Sequence, residues 1–297
     1  MAGNDGRGIA RIGVMVHPKR EVQRPLDALR DWAQEHDVEV VQIGAKPNGP
    51  QVAPDGEPGD VGLVVAIGGD GTVLAALRAA APFDRPVLGV ACGSVGALTT
   101  VAGTAVTRSL DAFASGDWHG DPIPAVHVSD AAGGEAFAFN DVVVVRDGGN
   151  QVSCEVEADG ALYARFSGDG VIGSTQLGSS AYALAAGGPL LAPGSGAWLI
   201  TPLAAHAGFI PPLVLGARSS ARLYIEPGYA GARVEVDGQR AAIEPRELEL
   251  DLRPDRGTVV RVGDDESFLT SLRRRGIVTD SPRMLAREAR IAHARSA

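Results

Sequence analysis

The chain has 297 residues, about two domains' worth at roughly 150 residues each, with 45% hydrophobic and 21% charged residues. That balance excludes a disordered acidic chain, a collagen-like repeat and a polytopic membrane protein. Lys and Arg total 27 against 36 Asp and Glu, a formal net charge of −9, so the broad positive face that duplex nucleic acid requires is missing.

Residues 9–16 read as a buried strand. Leu26, Leu29, Trp32 and Ala33 then recur at helical spacing after Pro25, a residue suited to a first helical turn. Residues 38–43 are a second strand, and 44–60, rich in Pro and Gly, a long surface loop. The continuous apolar run 61–67 marks a strand covered on both faces. A helix over 72–80 and a strand over 87–90 complete an alternation that predicts a parallel α/β sheet. Beyond about residue 120 the pattern changes to short strands at 125–128, 137–145, 152–158, 162–166, 223–225, 233–236, 248–252 and 259–262. Asp159-Gly160 and Asp237-Gly238 are hairpin signals, because both residue types tolerate positive φ. Residues 267–275 read as a short closing helix. The expected organisation is an α/β phosphate-binding domain over 1–110, with 267–297 returning to it, and a β-rich nucleotide-binding domain over 111–266.

Composition removes further classes. The two lysines, Lys19 and Lys46, stand outside any glycine loop, which excludes a Walker-type P-loop. Cys92 and Cys154 are too few for a disulfide framework or a four-ligand zinc site, and the histidines show no metal-ligand spacing, so no metal-binding side chain is assigned. Residues 181–215, the most apolar region, contain Pro189, Pro193, Pro202, Pro211 and Pro212 and cannot form a spanning helix of ~20 residues. Residues 1–8 lack the apolar core of a signal peptide. Arg273, Arg274, Arg275, Arg283, Arg287 and Arg290 read as a solvated helical tail. A cytoplasmic protein with no membrane and no nucleic-acid partner is the expectation. The absence of Gly-x-Ser-x-Gly, and of Gly-x-Gly-x-x-Gly after the first strand, argues against hydrolase and dehydrogenase chemistry.

Three segments carry chemistry. Gly68-Gly69-Asp70-Gly71-Thr72 joins a buried strand to a helix start; its glycines let backbone approach a phosphate, and the helix N-terminus supplies amide donors. A carboxylate at that strand end suits phosphoryl transfer, where it meets a metal ion or a hydroxyl nucleophile. An ordinary strand–helix turn capped by aspartate explains the same residues equally well. Asp169-Gly170 through Gly187-Gly188-Pro189 runs small hydroxyl residues into a helix start, with Tyr182 on the first turn; a tightly packed small-residue helix start is the simpler account. Asn140-Asp141 opens a strand and is placed to hydrogen-bond two vicinal ribose hydroxyls, or merely to cap the strand. His206 follows a strand into a loop and reads as structural.

In this order the segments resemble the NAD kinase family. Thr201-Pro202 with His206, Pro212-Leu213-Val214-Leu215 and Val236-Asp237-Gly238-Gln239 are similar to further family stretches, so the resemblance covers residues 9–285. The first motif is shared with diacylglycerol and sphingosine kinases; the glycine–hydroxyl block is more specific to NAD kinases. The resemblance implies an N-terminal α/β domain plus a β-rich C-terminal domain. It implies phosphoryl transfer from ATP, with Mg²⁺, to the 2′-hydroxyl of the adenosine ribose of NAD. Carried over, Asp70 is the catalytic carboxylate, and Gly68, Gly69, Gly71 and Thr72 form the phosphate loop. Asn140, Asp141, Asp169, Thr175, Ser180, Ala181 and Tyr182 bind the dinucleotide. Homodimers or homotetramers are implied, with neighbouring subunits completing the site.

The chain departs from the family pattern at Ala91, Ala97, Gln176, Leu177 and Ala185, where an asparagine, an aromatic, a proline and hydroxyl residues are usual. These changes keep three other readings open: a different nucleoside or nucleotide acceptor, a nucleotide sensor without turnover, and, more distantly, a lipid kinase. The expectation for Asp70→Asn is a loss of turnover with ATP binding kept, on the premise that the fold needs no charge there.

Overall fold

The apolar runs of the first hundred residues become parallel strands because they are covered on both faces. The computed structural model describes residues 9–44, 49–93, 95–263 and 266–287. In chain order the first elements are β1 (Arg11–Val16), α1 (Gln23–Glu35), β2 (Glu39–Gln42), β3 (Leu63–Gly68), α2 (Asp70–Ala80), β4 (Val87–Ala91), β5 (Val101–Ala102) and α3 (Val106–Ser115). The strands pair in parallel in the order β2-β1-β3-β4-β5. Alternate residues of β3 explain its unbroken apolar sequence: Val64 and Ala66 pack with α2, while Leu63, Val65 and Ile67 pack with α1 and α3. Trp32 Nε1 of α1 donates to Asp111 Oδ1 of α3 at 2.7 Å.

The second half comprises β6 (His119–Asp130), β7 (Glu135–Ala138), β8 (Asp141–Arg146), β9 (Val152–Ala158), β10 (Ala161–Gly168), β11 (Gly170–Ser174), α4 (Tyr182–Ala185), β12 (Ala197–Leu203), β13 (Leu213–Gly216), β14 (Ser220–Glu226), β15 (Ala232–Val236), β16 (Gln239–Arg240) and β17 (Glu247–Arg261). Six of these strands form one sheet in the order β13-β12-β11-β8-β15-β16. The others join the parallel strands in an eleven-stranded sheet. The link is β17, which pairs antiparallel with β14 and β6 and meets β4 in parallel at Val259↔Val87. Alternating residues of β9, β14 and β17 (Cys154, Leu223, Leu250) face Val142, Val144, Val171 and Trp198 of the six-stranded sheet, forming a sandwich core.

The structure departs from the expected elements in two instructive places. Residues 137–145 are not one strand: β7 lies in the large sheet and β8 in the other, with the chain changing sheets at Phe139-Asn140. Residues 248–252 and 259–262 are parts of the single strand β17, with a register shift between Arg253 and Gly257 that absorbs the polar interruption. Pro202 sits inside β12, but β13 pairs only with Ala197–Ile200, so β12 is an edge at the proline. Both Asp-Gly hairpins form as read, with φ of 49° and 77° at Asp159-Gly160 and 48° and 73° at Asp237-Gly238.

Residues Met1–Gly263 form one compact unit and Asp264–Ala297 another. The second holds α5 (Phe268–Arg274), the helix expected near 267–275, capped by Ser267 Oγ accepting from Thr270 N at 3.2 Å. Arg274 pairs with Glu266 and Arg273 with Asp280, while Arg283 and Arg287 are exposed. Residues 1–8, Lys46, Arg290 and His293 lie outside the described residues. Among the described residues no helix is long and apolar enough to cross a membrane. The sandwich core makes a direct prediction. Leu250→Ala should cost about 2–5 kcal/mol, against less than about 0.5 kcal/mol for its exposed neighbour Glu249→Ala, as read from urea midpoints.

Candidate functional site

Strand β3 ends in Gly68, and α2 begins at Asp70 behind an extended Gly69. A Cβ on Gly68 would lie 2.2 Å from Thr72 Oγ1, and one on Gly69 would press on the Arg20 guanidinium at 3.1 Å; one on Gly71 would meet nothing. The first two glycines therefore allow close packing, and the third leaves the helix start bare. A cavity of about 740 Å³ opens over this turn, at the carboxyl ends of β1 and β3, where open α/β sheets bind ligands. Gly69, Asp70, Gly71 and Thr72 line it together with His17, Arg20 and Arg78. His17 Nδ1 accepts the backbone N–H groups of Lys19 and Arg20, both at 3.1 Å, and the resulting turn brings Arg20 Nη1 to Cys92 O at 3.2 Å. Backbone amides, a helix N-terminus and two guanidinium groups thus surround one space, an arrangement suited to phosphate.

Asp70 is more than a helix-start residue. Its Oδ2 accepts from Ala97 N at 2.9 Å, and its Oδ1 from Leu98 N at 3.0 Å and Thr99 N at 3.2 Å. The carboxylate therefore organises the loop after β4, and the premise that the fold needs no charge there is overturned. In Asp70→Asn an NH₂ group would face one of these amides, so loss of turnover in that variant reports the loop as well as the chemistry. Gly96 completes the fit, since a Cβ there would lie 2.1 Å from Asp70 Oδ1.

Of the other predicted residues, Asp141, Asp169 and Tyr182 come together beside the six-stranded sheet, the two carboxylates close enough to act on the Tyr182 hydroxyl. Asp141 and Ser174 are opposed across β8 and β11, and Glu235 and Arg233 lie on β15 beside them. Asp141 is 6% exposed, and among the described residues no donor lies within hydrogen-bond distance of its carboxyl. Burial, followed by the negative charges of Asp237 and Glu235, pushes that carboxyl up to about 7. Ser174 Oγ and Thr201 Oγ1 are buried on the same face, without hydrogen-bond partners among the described residues. Tyr182 is 41% exposed, and burial, then Glu235, Asp169 and Asp141, raise its hydroxyl above the ordinary value. Asp169 is held by Arg146, its Oδ1 accepting from Nε at 2.6 Å.

Thr175 has a different task from the one expected. It is fully buried, and its Oγ1 donates to Phe139 O at 2.6 Å and accepts from Gly178 N at 3.2 Å. It ties the 175–178 turn to the segment before β8 rather than facing a ligand. Ser180 Oγ donates to Leu177 O at 3.1 Å, and Ala181 is exposed beside Tyr182. The reading from sequence missed His17 as a loop former, Arg20 and Arg78 as cavity cations, and Asp237. Asp237 reads from sequence as a turn residue within a family-like stretch, without a role in the site, yet its fully buried carboxylate accepts from Phe139, Asn140 and Asp141 N and pairs with Arg78. Its sequence signals were an acidic residue at the first position of a tight turn and the family-like stretch Val236-Asp237-Gly238-Gln239 around it.

Fold and site together define an α/β domain with a glycine–aspartate turn between strand and helix, joined to a β-rich domain. Residues 15–118 match the family model of the ATP-NAD kinase N-terminal domain, and residues 139–253 that of the ATP-NAD kinase C-terminal domain. The chain belongs to the ATP-NAD kinase family. NAD kinase 1 of Streptomyces coelicolor is 31% identical to it, over 94% of this chain and 88% of that protein. An NAD kinase of Chloroflexus aurantiacus is 31% identical over 89% and 97%. The crystal structure of yeast NADH kinase complexed with NADH superposes with a TM-score of 0.76 at 21% identity, covering 93% of this chain and 89% of that one. An NAD kinase from Archaeoglobus fulgidus in complex with ATP gives 0.66 at 23%, covering 85% and 93%. At those identities the two structures speak for the fold. Gly96→Ala should displace the Asp70 carboxylate, lowering turnover roughly tenfold or more while costing about 1–3 kcal/mol of stability; steady-state kinetics and urea melts check both.

Proposed function

We propose that this chain transfers the terminal phosphoryl group of ATP to the 2′-hydroxyl of the adenosine ribose of NAD, giving NADP. The observation that carries the reading is the Asp70 carboxylate, fixed by three amides at the wall of a cavity lined by a helix N-terminus, Arg20 and Arg78. In it Gly69, Gly71 and Thr72 receive the phosphates, with Gly68 allowing the turn, and Arg20 neutralises charge that phosphoryl transfer develops. Asp70 orients the attacking hydroxyl. Asn140 and Asp141 hold ribose hydroxyls, with Asp169, Ser180, Ala181 and Tyr182 along the dinucleotide and Thr175 supporting the turn. A magnesium ion entering with ATP would neutralise phosphate charge, and Asp70 is the residue to hold it. Asp70, on the cavity wall at the start of α2, would offer such an ion one hard carboxylate oxygen donor, with phosphate and water oxygens completing its shell.

Two of the departures from the family pattern are explained by packing within the fold. Ala91 is buried at the end of β4 between Gly68 and Ala102, and Leu177 packs into the core cluster that contains α2. A homodimer or homotetramer, a cytoplasmic location and a division near residue 110 with 267–297 returning to the first part belong to the same proposal. Free thiols at Cys92 and Cys154 suit a reducing compartment. The test is incubation of the purified protein with ATP, magnesium and NAD. Formation of NADP supports the reading, and phosphorylation of a nucleoside panel with no NADP overturns it.

Asp141 adds a pH dependence. A carboxyl raised to about 7 stays protonated in the folded chain while the unfolded chain ionises near its ordinary value of 3.8. The folded state then binds the extra proton, so stability falls as pH rises from about 4 to about 7 and is level above. Asp141→Asn should remove that fall and be the more stable protein at pH 8, as read from melts across pH. For binding, the ionised form accepts from two hydroxyls, so KM for NAD should drop as pH rises through about 7 in the parent and stay flat in the variant.

A further inference from the structure

The segment Phe139–Asp141 faces a problem that its own sequence does not solve. Its apolar neighbours on both sides favour one continuous strand, yet β7 and β8 belong to different sheets. The chain must leave one ladder and enter another, and the N–H groups at the crossing lose their strand partners. Asp237 supplies the acceptor. Its Oδ1 accepts from Asn140 N at 2.6 Å and Asp141 N at 3.3 Å, and its Oδ2 from Phe139 N at 3.2 Å. Its own N–H donates to Asp141 O at 2.9 Å. Three successive amides turned toward one anion form a concave nest, and a nest of this kind needs a charge at its centre.

That charge is 0% exposed and is balanced by Arg78, whose Nη1 lies 3.1 Å from Asp237 Oδ2. Arg78 belongs to α2, the helix that begins at Asp70, and lines the cavity beside Thr72 and Ala75. One ion pair therefore connects the phosphate helix to the backbone that carries Asn140 and Asp141. The β15–β16 hairpin presents the carboxylate by holding Asp237 at φ 48° and Gly238 at φ 73°.

Resting on the NAD kinase reading above, we infer that Asp237 is a positioning residue, countered by Arg78, that sets the placement of Asn140 and Asp141 against the acceptor nucleotide. It touches no reacting atom. Its effect runs through the turn, and also through charge, because it sits beside Asp141. The charged and titratable groups around Asp141 are Asp237, Glu235 and Arg233 from β15 and its hairpin, Tyr182 from α4, and Arg78 behind Asp237.

The experiment compares Asp237→Asn and Arg78→Met with the parent full chain, measuring KM and kcat for NAD and ATP from pH 5.5 to 8.5. Amide hydrogen exchange at 139–141 is followed in parallel. Asp237→Asn should raise KM for NAD at least tenfold, leave kcat within about threefold, and speed exchange at 139–141 while β17 stays protected. The two variants should move the inflection of KM against pH in opposite directions. Removing the anion shifts it to lower pH, and removing the cation shifts it to higher pH, which loss of a mere structural tie would not do. Folded variants with unchanged KM and inflection, or with a lowered kcat at constant KM, overturn the inference. Should Asp237→Asn fail to fold, the direction of the shift in Arg78→Met decides by itself. If the parent makes no NADP, the NAD reading fails; exchange at 139–141 in the two variants then decides whether Asp237 orders this turn.

Discussion

Asp70 takes the amides of Ala97, Leu98 and Thr99, and Asp237 takes those of Phe139, Asn140 and Asp141. In each case a carboxylate lies against three successive backbone N–H groups and fixes a loop that no regular ladder supports. Hydrogen bonds to a charged acceptor contribute roughly 1.5–3 kcal/mol each, enough for three of them to offset much of the desolvation of a buried carboxylate. The interaction is local and directional, so it orders a short segment without adding apolar bulk where a ligand must lie. Both captured segments adjoin the candidate site, and Arg78 joins α2, which begins at Asp70, to the second of them.

Much of the architecture was legible because it follows from periodicity. The apolar run of β3 predicted two-sided burial, and alternation in β9 and β14 predicted one-sided strands; the packing of Val64 against α2 and of Cys154 and Leu223 in the sandwich bears this out. What periodicity does not encode is a strand partner far along the chain. Residues 137–145 read as one strand because apolar residues flank Asn140-Asp141 on both sides, and the acceptor for the amides at the break, Asp237, lies nearly a hundred positions later. Likewise the polar stretch inside β17 reads as a turn, whereas a register shift between Arg253 and Gly257 carries the strand past it. In the site the glycines, Asp70 and the Asn-Asp pair were legible as motifs. Arg20 was not, because its position depends on His17 accepting two backbone amides.

The residues that depart from the family pattern divide on structural grounds. Ala91 ends a buried strand and Leu177 fills space beside α2, so each is accounted for by packing. Ala97 is partly exposed, and its N–H is one of the three that hold Asp70. The backbone role at that position is independent of the side chain. An aromatic ring can therefore be lost there without loosening the carboxylate, and the change bears on what packs over the loop rather than on how Asp70 is held.

Strand β8 shows why the capture at Asp237 has to be strong. Val142 and Val144 point into the sandwich core, while Asp141 and Val143 point to the α4 face, where Glu235 and Asp237 already place negative charge. Side chains alternate with a period of two, so a slip of one residue would drive the Asp141 carboxyl into the apolar sandwich core. The valine run 142–145 is apolar at every position and does little to oppose such a slip. Register is set instead at the strand's first residue, where the amides of 139, 140 and 141 meet a single buried anion and have no equivalent acceptor one step away. The same contact that orients the Asn-Asp pair thus also decides which face of the sheet is core, and it keeps the destabilising carboxyl out of the sandwich core.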